Sequence, residues 1–130
     1  MLKDILLQKN CSIVASNGFV SFDSGIKPLI DKLNEDLYYF NDLEVADKIV
    51  GKAAAMLFSL SGVKKVYANI LSLAGQKILE ENNIEYEYGE LVDYIINRKG
   101  DGMCPMEMTV KEIDDPKEAF TTLKNKIALH

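Results

Sequence analysis

The sequence predicts a three-layer α/β/α domain whose mixed sheet begins with a β-hairpin. Three observations predict it. Two short apolar runs, residues 11–15 and 19–22, are joined by Ser16-Asn17-Gly18, and Asn-Gly is a strong hairpin signal because both residues tolerate positive φ. The stretch from Val50 to Leu57 is apolar on nearly all sides except at Lys52, as a buried central helix requires. Beyond it, strand-like apolar runs alternate with helical spacing, an order that places helices on both faces of a sheet.

The elements follow in chain order. Residues 1–10 set Leu2, Ile5 and Leu6 on one side, the mark of a short amphipathic helix. The hairpin comes next. Ile26, Leu29, Ile30, Leu33 and Leu37 then repeat at helical spacing, with Ser24 as the expected cap and Pro28 in the first turn, where its missing N–H is harmless. Tyr38-Tyr39-Phe40 reads as a connection packed on the core. Residues 42–61 read as one long helix, through Val45, Ile49, Ala53, Met56 and Leu60, ended by Gly62. Residues 64–70 are a buried strand, 72–83 a helix stopped by Asn82-Asn83, and 84–88 a strand with Tyr86 and Tyr88 alternating against glutamates. Residues 91–96 fit either helix or strand, 98–102 are a polar loop, and 105–113 and 116–129 are two closing helices.

Composition removes several classes of function. A chain of 130 residues with 48% hydrophobic content fits a single domain spanning 1–130. A net charge of −5 with no basic run argues against general nucleic-acid binding. No run reaches the ~18 apolar residues of a membrane span. The single histidine, His130, is the last residue, so a histidine-centred metal site or a Ser-His-Asp triad would rest on the chain end. Cys11 and Cys104 form no Cys-x-x-Cys pair, and no secretory signal pattern opens the chain, so a reducing, cytoplasmic setting is expected. No metal and no cofactor is expected.

Three local runs carry a family resemblance: Asp23-Ser24-Gly25-Ile26-Lys27-Pro28-Leu29, Asp47-Lys48-Ile49-Val50-Gly51-Lys52-Ala53-Ala54-Ala55, and Ile95-Ile96-Asn97-Arg98 leading into Gly102-Met103-Cys104-Pro105-Met106-Glu107. Together they resemble the small bacterial family called domain of unknown function 1893, within the cytidine-deaminase-like superfamily. The resemblance implies that fold and carries no established activity. The superfamily's zinc enzymes place His (or Cys)-x-Glu at the start of the buried helix and Pro-Cys-x-x-Cys at the start of the next. Here those positions fall near Val50-Gly51-Lys52 and Leu71-Ser72-Leu73-Ala74-Gly75, which supply no such ligands. The chain is therefore not expected to be a zinc-dependent deaminase; whether it is an enzyme at all stays open.

The remaining chemistry concentrates at a few positions. Cys104 precedes Pro105 and so stands at a helix N-cap, where free N–H groups favour a thiolate. It is a candidate nucleophile or redox sensor; alternatively it is a packed thiol, with Glu107 closing the same helix as a capping-box residue. Asn97, Arg98, Asp101 and Gly102 lie in a Gly-rich loop that could form an anion nest, with the arginine adding a bidentate contact, or be plain surface. Lys52, in an apolar helical segment, is a candidate base or anion contact, or a side chain that snorkels to the surface or pairs with a carboxylate; Asp47, five residues earlier, falls on a different part of the helix. Ser24, Gly25 and Lys27 open a helix and could hold an anion or merely cap it. Tyr86, Tyr88 and Tyr94 form a stripe suited to stacking on a base, to a core edge or to a homodimer face. The leading expectation is binding of a small anionic ligand, a nucleotide or related metabolite, by Lys52, Arg98 and the Gly-rich loop, with Ser24, Gly25, Lys27, Asp47 and Glu107 around them. The alternatives are a metal-free enzyme using Cys104 as nucleophile with Lys52 or an acidic residue as proton shuttle, and a structural oligomerisation module.

Overall fold

The structure is a computed structural model and describes residues 1–128, so His130 and the last residue of the expected closing helix lie outside it. The elements are α1 (Leu2–Lys9), β1 (Ile13–Ala15), β2 (Val20–Ser21), α2 (Lys27–Glu35), β3 (Glu44–Val50), α3 (Lys52–Ser61), β4 (Lys65–Ser72), α4 (Leu73–Glu81), β5 (Glu85–Val92), α5 (Pro105–Val110) and α6 (Pro116–Ala128). They build an α/β fold around a five-stranded mixed sheet in the order β2-β1-β3-β4-β5. The expected hairpin forms, with Ile13 opposite Ser21 and Val14 opposite Val20, and Gly18 takes φ +96° in its turn. β1 runs antiparallel to β3, and β3, β4 and β5 run parallel.

The expected helix over 42–61 is two elements. Glu44–Val50 is a strand between β1 and β4, and only Lys52–Ser61 is helical. The cause is the spacing of its apolar residues. Val45 and Ile49 stand four apart and Glu44, Asp47 and Lys48 break strict alternation, so the segment fits a helical period, although in the sheet only Val45, Ala46 and Val50 are buried. Gly51 makes the turn, and Gly62 ends α3 at φ +82°. Burial of Ala53 through Phe58 on all sides of α3 agrees with its apolar composition.

Strand alternation divides the core. Val14, Ala46 and Tyr67 face α1 and pack with Leu6 and Cys11. Ile13, Val45, Val66 and Ala68 face the opposite way, into the main core with Leu29 and Leu33 of α2, most of α3, Leu79 of α4 and Leu123 of α6. Phe40 and Tyr39 meet Phe19 edge-to-face, as the connecting aromatic cluster should. At the carboxyl ends of the parallel strands, β3 turns at Gly51 into α3, and β4 runs directly into α4, capped by Ser72 accepting from Gly75 N at 2.9 Å. Gly75 packs so closely on the Gly51 turn that an added Cβ would stand 3.0 Å from the Gly51 carbonyl carbon. The two helix starts are therefore side by side.

Candidate functional site

The centre of this region is Glu107 on α5. Its carboxylate reaches across to α3 and accepts from Lys52 N at 2.7 Å and Ala53 N at 2.9 Å. A helix leaves its first N–H groups without intrahelical partners, and here a carboxylate from another helix takes two of them. The expected capping box at Cys104 and Glu107 is therefore overturned: α5 begins at Pro105 with no side-chain cap, and Glu107 serves a different helix. Burial pushes the Glu107 carboxyl up, against the two N–H bonds and Lys52, which pull it down.

Glu107 lines two clefts. The larger, about 720 Å³, lies beyond the carboxyl end of β3 and between it and residues 95–107. Ser24, Gly25, Asp47, Asn97, Arg98, Asp101 and Cys104 all line it with Glu107. The smaller, about 480 Å³, opens over the start of α4 and is lined by Lys52, Lys77, Asp93 and Tyr94. Lys52 and Arg98, expected to hold one ligand together, thus line different clefts.

Several side chains are engaged otherwise than the sequence suggests. Lys52 is the first residue of α3 rather than a mid-helix position, and its Nζ donates to Lys111 O at 3.0 Å and faces Asp114 at 3.8 Å. Ser24 does not cap α2, whose N-cap is Ile26; its Oγ accepts from Arg98 Nη2 at 2.7 Å. Lys27 turns along its own helix to Asp31 at 2.8 Å and lines neither cleft. Gly102 lines neither cleft and serves the loop, its carbonyl accepting from Asn97 N at 2.8 Å. The expected anion nest is filled from within: Asn97 Oδ1 accepts from Gly100 N at 2.8 Å and Asp101 N at 3.2 Å, and Asn97 Nδ2 donates to Asp101. Asp47 lies on β3, opposite Ile13 and Ala68, and not on a helix. It is half-buried, and desolvation raises its carboxyl to about 7, against the backbone N–H groups of Ile49 and Lys48. Cys104 is a half-buried free thiol in the larger cleft. Tyr86 and Tyr88 stack at 6.4 Å, with Tyr86 Oη donating to Glu80, while Tyr94 stands apart in the smaller cleft.

Sequence reasoning missed the apolar lining: Ile49, Ala54, Ile95, Ile96 and Met106. The one signal that could have found it is the pair Ile95-Ile96, two large apolar residues beside a polar loop; Ile96 remains 58% exposed and Ile49 49% exposed.

The turn at Val50-Gly51-Lys52 and the segment Leu71–Gly75 lie side by side at the paired helix starts and present Lys52 and Ser72 there. Among the described residues, no three His, Cys, Asp or Glu side chains converge as a metal would need. No described helix is long and apolar enough to cross a membrane.

The fold and its clefts define an α/β protein with an apolar crevice at the strand ends, a common position for small-ligand sites. The chain belongs to the family described as Domain of unknown function (DUF1893), whose model matches residues 1–127. A crystal structure of a DUF1893 family protein from Thermotoga maritima is similar to it, with a TM-score of 0.87 and 31% identity over 95% of this chain and 86% of that one. No curated protein matches the chain.

Proposed function

We propose that the larger cleft binds a small anionic ligand, a nucleotide or nucleotide-derived metabolite, in a regulatory or sensing role. The observation that carries this reading is the convergence of Arg98, Ser24, Asp47 and Cys104 on one apolar-walled crevice beyond β3. Its volume, about 720 Å³, lies within the range of small-molecule sites. Ile49, Ile95 and Ile96 offer faces for a flat ring. Among the described residues Arg98 makes one side-chain bond, to a neutral hydroxyl, which leaves most of its five donors for an anionic group. Lys52, tied to Lys111 and Asp114 over the neighbouring cleft, is left out.

The same reading takes residues 1–130 as one cytoplasmic domain of cytidine-deaminase-like, bacterial ancestry. The hairpin followed by three parallel strands with intervening helices supports that ancestry. The open edge of β5 supports pairing of two copies.

The test is thermal unfolding with nucleotides, nucleosides and phosphorylated metabolites, since a ligand that binds only the folded state raises stability by mass action. A saturable rise is expected with one class, weakened at least tenfold in apparent affinity by Arg98→Ala and kept by Cys104→Ser. No rise with any class overturns the reading.

A second reading rests on Cys104, whose thiol opens into the same cleft. As a metal-free nucleophile it should be alkylated by iodoacetamide well below neutral pH. Alkylation no faster than a free thiol's at each pH removes that reading.

A further inference from the structure

Asp47 is the one acidic side chain of the larger cleft that the fold does not itself use. Glu107 holds the start of α3, and Asp101 holds Asn97. Asp47 is met only by neighbouring backbone N–H groups of its own strand, those of Lys48 and Ile49, the latter at 3.3 Å, and no cation pairs with it among the described residues. The adjacent Lys48 turns to Asn10 at the end of α1, and Arg98 turns to Ser24. Desolvating a carboxyl with so few donors disfavours its charged form. The carboxyl therefore makes sense as a group awaiting a donor from outside.

The surroundings define that donor. Ile49, Ala54 and Ile95 line the same cleft and lower the local dielectric, which strengthens a hydrogen bond made there. A carboxylate is planar and accepts two parallel N–H bonds at once. We propose that Asp47 is the specificity-determining residue of this cleft, selecting a heterocycle with two adjacent N–H donors, as on the Watson–Crick edge of guanine, while Arg98 takes the ligand's anionic group. The inference rests on the nucleotide-binding reading above and names the base within it. Desolvation, which raises the Asp47 carboxyl to about 7, leaves it poised to ionise when paired donors arrive.

The experiment titrates GMP, IMP and AMP into the full chain and its Asp47→Asn variant by calorimetry at pH 8. IMP keeps the ring N–H of GMP and lacks its amino group; AMP presents an acceptor beside its amino group. The wild type should bind GMP at least tenfold more tightly than either. Asp47→Asn, which replaces one acceptor by a donor, should weaken GMP at least tenfold and move the preference toward AMP. If the wild type binds all three alike, or the variant keeps the GMP preference, Asp47 does not select the base and nucleotide binding stands without it. If the wild type binds none, the nucleotide reading falls and this inference with it. Asp47→Ser, titrated in the same way, decides the point if Asp47→Asn does not fold.

Discussion

The Glu107 carboxylate on α5 and the Lys52 backbone N–H on α3 are 2.7 Å apart, and the second oxygen lies 2.9 Å from Ala53 N. This pair locks the last third of the chain onto the buried central helix. It also closes the position at the start of α3 where an external anion would otherwise bind.

Glu107→Ala should destabilise the protein by about 2–4 kcal/mol, because it strands a buried Ala53 N–H and a part-buried Lys52 N–H. Glu107→Gln keeps an acceptor and should lose roughly half as much. Urea unfolding followed by circular dichroism measures both. A loss under ~0.5 kcal/mol for the alanine variant would show that the lock contributes nothing.

Gly51 leaves room for that carboxylate, and a Cβ there would overlap it. Gly51→Ala should cost about 1–3 kcal/mol by overpacking. The same substitution in a Glu107→Ala background should cost at least ~1 kcal/mol less, a coupling that a double-mutant cycle reads directly. Additive losses would place the strain elsewhere. Gly75→Ala should also destabilise, despite alanine's better helix propensity, because its Cβ meets the rigid backbone of Val50 and Gly51 at 3.0–3.1 Å.

Asp47 makes stability depend on pH. Its carboxyl is raised from 3.8 to about 7, chiefly by burial. Between those values the folded chain keeps a proton that the unfolded chain has released, so stability falls as pH rises. Asp47→Asn does not titrate. Between pH 5 and 8 the wild type should lose about 1–2 kcal/mol relative to the variant, the half-buried setting holding the effect below that of full burial. Glu107 shifts in the same direction and is present in both chains, so the difference isolates Asp47. Parallel stability curves would remove Asp47 as the source.

Asn97 holds its loop from inside, accepting from Gly100 N and Asp101 N. Asn97→Ala should cost only about 0.5–1 kcal/mol, because these groups are exposed to water. Amide exchange at Gly100 and Asp101 should nevertheless rise several-fold. Unchanged exchange would mean that the backbone alone holds the loop.

The sequence by itself determined the elements whose signals are local. Asn17-Gly18 made the hairpin and Gly62 the end of α3, because turn and cap chemistry acts within a few residues. Alternation of Tyr86 and Tyr88 against glutamates marked β5, and helical spacing marked α2, whose Leu29, Ile30 and Leu33 face the core. The tertiary structure alone decided three things. It made Glu44–Val50 a strand, because Glu44, Asp47 and Lys48 interrupt the alternation that would distinguish strand from helix. It sent Glu107 to α3, a bond spanning 55 residues that a three-residue capping pattern cannot reveal. And it gathered Asp47, Arg98 and Cys104 into one cleft while placing Lys52 in the next, because which strand ends and helix starts meet depends on sheet order and not on spacing along the chain.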